Sequence, residues 1–314
     1  MERENITTVK EFIIIGFTGS LKIQIILFIT FLLIYIVTFM GNVVIITVIR
    51  SDCRLHTPMY FFISNLSFID LWYTSSTLPK ILANFLSEKG TISFIGCILQ
   101  LYFFLSLGVT ENFLLAAMSY DRYVAICNPL RYAILMKKRV CIQLVTSCWF
   151  TGFMSIVIPT VLIARLPYCA SNVINHFFCD ISPLIQLSCS DTHLIQKFNF
   201  ITAIVVILGT FFMITVSYIY IVSTILRISS SVGRKKAFST CASHLMVVLL
   251  YYGTIIFMYV RPKAESSLEV DKAMAVFYCI VTPMLNPIIY SLRNKEVKHA
   301  LNKTLSSGRS LSLG

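Results

Sequence analysis

Charge is scarce in this chain. Asp, Glu, Lys and Arg make up 13% of its 314 residues, against about 25% in a soluble domain. Acids are rarer than bases, 14 against 26. That shortage excludes a globular domain coated with solvent-facing polar groups. No metal-ligand spacing, nucleophile elbow or phosphate loop occurs, so the usual sequence grounds for an enzyme are missing. There is no inverted repeat with broken helices, which counts against a transporter. A channel or transporter is the runner-up reading, but the intramembrane ionisable groups are Asp70, Glu111 and His244, too few for a relay. Residues 1–22 are polar and charged and lack an apolar core, so no cleavable leader is expected and the first apolar run is expected to act as the insertion signal.

Hydrophobic residues are abundant: 57% of the chain, with a mean hydropathy of +0.80. They gather in seven long stretches. Ile23–Ile49, Val140–Ala164, Phe198–Leu226, Ala237–Val260 and Ala273–Leu292 contain no Asp, Glu, Lys or Arg; Leu55–Pro79 contains only Asp70, and Gly90–Tyr120 only Glu111. A spanning helix needs about 20 mostly apolar residues, so each stretch qualifies. The sequence predicts an all-α membrane protein, a seven-transmembrane helix bundle. Residues 1–22 form an outer tail, 23–292 the seven-span domain and 293–314 a cytosolic tail.

The basic surplus sets the orientation. With the C-terminus in the cytosol, Arg50, Arg54, Arg131, Lys137, Lys138, Arg139, Arg227, Arg234, Lys235, Lys236, Arg293 and Lys295 all fall on the inner side, with only Asp52 and Glu296 as acids. Most other acids fall outside, and the positive-inside rule places the N-terminus there. The positive charge is therefore a topological and lipid-facing signal rather than a nucleic-acid footprint. Cys97, Cys169, Cys179 and Cys189 lie on the outer side. An even set in an oxidising compartment predicts disulfides, with three pairings open. Asn5-Ile-Thr7 is a glycosylation sequon on the outer tail. Arg165–Lys197 is an unusually long outer loop holding three of those cysteines, so it is expected to be pinned.

The stretch Met118–Cys127 places Asp121 and Arg122 at the end of the third run. A charged pair belongs at the membrane edge or in a polar cavity. Neighbours on a helix diverge by about 100°, which leaves Arg122 free to reach into the bundle or toward a cytosolic partner. Pro283 and Pro287 lie in the seventh run and should bend it, with Asn286 placed to bond the freed carbonyls.

These residues converge on a family. Gly41-Asn42, Asp70, Asp121-Arg122-Tyr123, Trp149 and Asn286-Pro287-Ile288-Ile289-Tyr290, in order on seven spans, resemble the rhodopsin-like G-protein-coupled receptors. Leu55–Phe62, Met118–Cys127, Ser217-Tyr218, Lys236–Leu245 and Pro283–Asn294 narrow the match: the chain resembles an odorant receptor of the tetrapod type (class II) over nearly its whole length. The resemblance implies two disulfides, Cys97–Cys179 and Cys169–Cys189. It implies a polar cluster of Asp70, Glu111 and Asn286, in which Asp70 and Glu111 could share a proton or hold Na⁺. It assigns coupling and activation to Asp121, Arg122, Tyr123, Tyr218, Asn286, Pro287 and Tyr290. It places an odorant lining at Phe104, Leu105, Gly108, Val109 and Asn112 on the third span; Thr202, Ala203 and Val206 on the fifth; Tyr252, Ile255, Ile256 and Tyr259 on the sixth; and Val276 and Cys279 on the seventh.

That lining carries no charge. No acid lies between Gly90 and Thr110, as an amine receptor would want, and no lysine lies between Lys272 and Arg293, as an opsin would need. A small, mostly hydrophobic volatile molecule with one polar group suits it, with Thr202 and Tyr259 expected to orient that group. The resemblance further implies a stimulatory, olfactory-type G protein as partner, a rise in cAMP, no cofactor, and a place in the plasma membrane of olfactory cilia.

Overall fold

Each apolar run folds as a helix because, without water, every backbone N–H and C=O must be satisfied within the segment. The computed structural model describes residues 9–17, 19–87, 90–169, 171–260, 268–293, 297 and 299–300; the side chains of 257–260, 268–271 and 291–293 lie outside that description. Seven long helical runs are present among the described residues. They are Leu21–Ser51, Pro58–Phe85, Phe94–Cys127, Lys138–Ala164, His193–Leu226 and Ser231–Val260, followed by a seventh in three parts. Its parts are Leu268–Val276, a wide π turn at Phe277–Val281, and Thr282–Arg293.

Six of the seven are both long and apolar enough to cross a membrane. The second is not apolar enough, although its 28 residues make it about 42 Å long. Its polarity is one-sided. Ser67, Asp70, Thr74 and Thr77 are buried, while Phe61, Phe68 and Trp72 are exposed. These positions follow helical spacing, so the helix turns these polar groups into the bundle, among Phe62, Leu66, Ile69 and Tyr73, and leaves large apolar side chains outward.

The third helix is central and packs on the second, fourth, fifth and sixth. Its approach to the fourth depends on Gly152. A Cβ there would sit 2.0 Å from Thr110 Oγ1 and 2.9 Å from the Ser106 carbonyl oxygen. The first and seventh helices meet in the same way at Gly41, where a Cβ would come within 3.1 Å of Pro287 Cγ.

The seventh helix widens where proline requires it. Pro283 has no N–H and its ring crowds the carbonyl four residues back, which belongs to Cys279 in the π turn. Thr282 Oγ1 donates to the Phe277 carbonyl at 3.2 Å. Asn42 Nδ2 lies 3.4 Å from the Pro283 carbonyl, whereas the Asn286 amide points elsewhere, to Asp70. The asparagine expected to bond the freed carbonyls has a more demanding partner in the buried carboxylate.

The outer face carries a small sheet built on a short apolar segment, Phe12–Ile15, of the otherwise polar N-terminal tail. Strand β1 (Glu11–Ile14) lies between β2 (Thr91–Ser93) and β3 (Val173–Ile174). It pairs antiparallel with β2, Phe12 opposite Ile92, and parallel with β3, Ile13 opposite Val173. Phe12 and Ile14 anchor a second, outer core with Leu101, Ile163, Tyr168 and Ile174. The long outer loop is pinned. Cys97 and Cys179 stand with Cα atoms 5.5 Å apart and Cys169 and Cys189 with theirs 5.9 Å apart, each pair joined as a disulfide.

Candidate functional site

Three polar or aromatic centres run down the bundle. At the inner end of the third helix, Asp121 is fully buried and Arg122 nearly so. The guanidinium does not reach away as the 100° divergence predicts. It curls back and donates to Asp121 Oδ2 through Nη2 at 2.5 Å and Nε at 3.1 Å. The arginine stem is long enough to undo the angle, and a buried cation without a partner is costly. Tyr132, in the short helix after the turn, donates to the other oxygen, Oδ1, at 2.8 Å. Burial and the Asp121 carboxylate push the Tyr132 phenol well up, so it keeps its proton and remains a donor. Tyr218 of the fifth helix meets His244 of the sixth, Oη to Nδ1 at 2.8 Å, with the two rings stacked. Tyr290 of the seventh is buried and its hydroxyl makes no hydrogen bond among the described residues. Tyr123 packs its ring against Tyr120 and Tyr220.

The middle centre holds Asp70 and Asn286, whose amide donates to both carboxylate oxygens, at 3.2 and 3.0 Å. Glu111 is buried within electrostatic range of Asp70. Glu111 Oε1, Asn286 Oδ1 and Asn42 Oδ1 are buried without a hydrogen-bond partner among the described residues. Those atoms are hard oxygen donors of the kind that suit a hard cation such as Na⁺. Among the described residues no three His, Cys, Asp or Glu side chains gather as a metal cluster.

The outer centre is aromatic. Phe104 sits between Tyr73 and Phe178, with ring centroids 4.7 Å away on each side. His176 of the long loop stacks on Phe177 and meets Phe178 edge-on, and Phe177 and Phe178 pack at a tilt. Below, Asn112 Nδ2 donates to Tyr251 Oη and to the Gly108 carbonyl, both at 2.8 Å. Tyr252 Oη donates to Thr210 Oγ1 at 2.8 Å. At Gly108 a Cβ would meet only Tyr73 Cε2, at 3.8 Å, so there is room beside it.

The residues expected to line the site divide accordingly. Phe104, Leu105, Tyr252, Ile255, Ile256, Val276 and Cys279 join one apolar cluster, and Gly108 and Asn112 are bonded into it through Tyr251. Val109, Thr202, Ala203 and Val206 are half-buried and stand outside that cluster. The Tyr259 side chain lies outside the described residues, as does the Asn5 sequon. Sequence reasoning missed Tyr73, Phe178, Thr210 and Tyr251. Only Phe177-Phe178 carried a signal: a doublet next to a cysteine tied to the third helix must come down over that helix.

Comparison with known proteins places the whole chain. A family model described as "Olfactory receptor" matches residues 31–308. Olfactory receptor 11L1 of Homo sapiens is 53% identical, over 97% of this chain and 95% of its own length. Olfactory receptor 6B9 of Mus musculus is 50% identical, over 99% and 98%, and olfactory receptor 287 of Rattus norvegicus 51%, over 96% and 97%. Seven helices, an uncharged aromatic centre at one end and an acid–arginine lock at the other thus go with relatives of a single kind, and the chain belongs to the olfactory receptors, non-enzymatic odorant-sensing G-protein-coupled receptors of the plasma membrane.

Proposed function

We propose that the receptor binds a small, mostly hydrophobic volatile molecule in the outer centre and activates a stimulatory, olfactory-type G protein, raising cAMP. The observation that carries this is an uncharged aromatic lining around one hydrogen-bonded amide, Asn112, whose Oδ1 is buried and unpartnered. An odorant with one hydroxyl can satisfy that oxygen, and one with a carbonyl can compete for the Tyr251 hydroxyl. Phe104, Leu105, Gly108, Asn112, Tyr252, Ile255, Ile256, Val276 and Cys279 form the lining, with Val109, Thr202, Ala203 and Val206 at its edge; Tyr259 is assigned to it by the family resemblance. A ligand of this size makes few contacts, so its affinity is modest, about micromolar.

The ligand acts by binding one state better than another. In the described state Arg122 is held on Asp121 and Tyr218 on His244. In the active state the inner end of the sixth helix swings outward, the Tyr218–His244 bond opens, and Arg122 and Tyr218 line the cavity that receives the G protein. Tyr290, whose hydroxyl has no partner to lose, repacks inward, with Asn286-Pro287 as the flexible point. The N-terminus, with a glycan on Asn5, lies outside and the C-terminus in the cytosol, in the ciliary membrane. A sodium ion held by Asp70 and Glu111 balances the buried charge of the resting state.

The test is a chemically diverse odorant panel against cells carrying the receptor, with cAMP and ion flux read in parallel. An odorant-dependent rise in cAMP without flux is the expected result. Flux without cAMP would favour the channel reading and overturn this one. Replacing external sodium by a large organic cation should raise agonist potency if the ion holds the resting state.

A further inference from the structure

The N-terminal segment Lys10–Phe17 is fastened to separate parts of the receptor. Ile13 N–H donates to the Asn172 carbonyl at 2.8 Å and Ile15 N–H to the Ile174 carbonyl at 3.0 Å, both in the long outer loop. Ile14 N–H donates to the Gly90 carbonyl at 2.7 Å, and Phe94 N–H donates to the Lys10 carbonyl at 2.9 Å. Phe17 stacks on Phe177 with centroids 5.3 Å apart and meets Phe31 of the first helix at 6.0 Å. Lys272, at the outer end of the seventh helix, is 2% exposed, and its ammonium donates to the Gly16 carbonyl at 3.1 Å.

Two of these features go beyond what packing needs. A buried ammonium is costly and an apolar side chain would fill the space more cheaply, yet this one holds a backbone carbonyl from the far end of the chain. Phe17 also opens a continuous file of rings. Phe177 lies 5.1 Å from Phe178, which lies 4.7 Å from Phe104, itself 4.7 Å from Tyr73. The file runs from the N-terminal segment into the odorant lining.

We propose that Lys10–Phe17 is the lid of the odorant site, that Lys272 latches it to the seventh helix, and that Phe17 and Phe177 screen entering odorants by size. The proposal rests on the site described under the proposed function. Entry requires the stacked pair to part. A thin molecule needs a small opening, whereas a bulky one needs the Gly16–Lys272 contact to break as well. Both residues therefore set specificity without touching the bound odorant.

Cys279 supplies a natural reporter, because its thiol is fully buried beside Tyr73 and Tyr278. Cys148, buried in the fourth helix, reports general loosening. Intact cells bearing the full chain are treated with a small membrane-impermeant methanethiosulfonate, and each cysteine is followed by mass spectrometry at matched surface level. Phe17→Ala should speed Cys279 modification by about 2- to 12-fold, the range a lost aromatic contact implies, and Lys272→Met by about tenfold or more, as the loss of a hydrogen bond from a charged group implies, with Cys148 unchanged in both. Lys272→Arg keeps the cation and should match the parent. In the dose–response assay the first two variants should gain responses to bulkier homologues of any agonist found. An unchanged Cys279 rate in both variants, or Cys148 accelerating in step with Cys279, overturns the lid. Labelling needs no G protein, so it judges the lid even where the panel returns no agonist, an outcome that counts against the odorant reading instead.

Discussion

Tyr132 and Arg122 hold the same carboxylate from opposite sides, the phenol on Asp121 Oδ1 and the guanidinium on Oδ2. The tyrosine thus steadies the acid that restrains the arginine. A hydrogen bond to a charged group contributes about 1.5 kcal/mol or more, roughly tenfold in an equilibrium. Tyr132→Phe should therefore raise odorant-independent signalling by about tenfold or more at equal surface expression. A basal level equal to the parent's would show that the phenol does not restrain the switch.

Removing the arginine should have the opposite effect. Arg122→Ala is expected to abolish agonist-stimulated signalling while the receptor still reaches the surface. Flow cytometry together with a cAMP reporter checks both halves. A normal response at matched surface level would remove Arg122 from the coupling machinery.

Gly152 has no room for a methyl group, with Thr110 Oγ1 2.0 Å and the Ser106 carbonyl 2.9 Å from where it would stand. Overpacking of this kind costs about 1–3 kcal/mol. Gly152→Ala should lower thermal stability and surface yield. Thr110→Ala in the same chain should restore part of the loss, because the hydroxyl is the nearer obstacle and the carbonyl remains. A double-mutant cycle in a detergent thermal-shift assay measures the coupling, and additivity would contradict it.

The Cys97–Cys179 link closes a separation of 82 residues. Losing a native disulfide costs about 2–5 kcal/mol. Cys97→Ser and Cys179→Ser should each keep the receptor from the cell surface, and the double variant should fare no worse than either single one. Mass spectrometry of the mature receptor should find the linked peptides; Cys97 as a free thiol there would refute the pairing.

Selectivity should depend on the Asn112–Tyr251 pair. Leaving a buried polar group unpaired costs about 1–3 kcal/mol, roughly a 5- to 150-fold change in potency. Asn112→Leu should weaken hydroxyl- or carbonyl-bearing agonists by that factor and spare hydrocarbons of similar shape. Gly108→Leu should instead exclude bulky agonists. Dose–response curves at equal expression decide the matter; equal shifts for every agonist would mean that the lining lies elsewhere.

The spans were legible because lipid leaves helix as the one option for a lone apolar run, and run length is read directly. The second helix was legible by length alone, since Asp70 and its hydroxyl neighbours dilute its apolarity. The wide turn at Phe277–Val281 was not, because Pro283 predicts trouble in the preceding turn without saying whether the helix kinks or widens. Strand β1 was hidden because four residues are too few to show a period, although Phe12–Ile15 is an apolar run, and its partners lie 80 and 160 residues away. In the site, Asp70 and Asn286 stood out as rare polar groups in apolar surroundings. Tyr73 and Tyr251 did not, since an aromatic ring in a hydrophobic run has the same spacing whether it packs or binds.

Gly152 and Gly108 give the third helix one unforgiving side and one permissive side. On the side facing the fourth helix, any heavier residue at 152 meets backbone as well as side chain, so substitution there strains the frame. On the side of the proposed lining, position 108 opens onto the edge of a single ring, at a distance that tolerates a methyl group. A change at position 108 can therefore reshape the proposed lining while the frame around position 152 stays as it is.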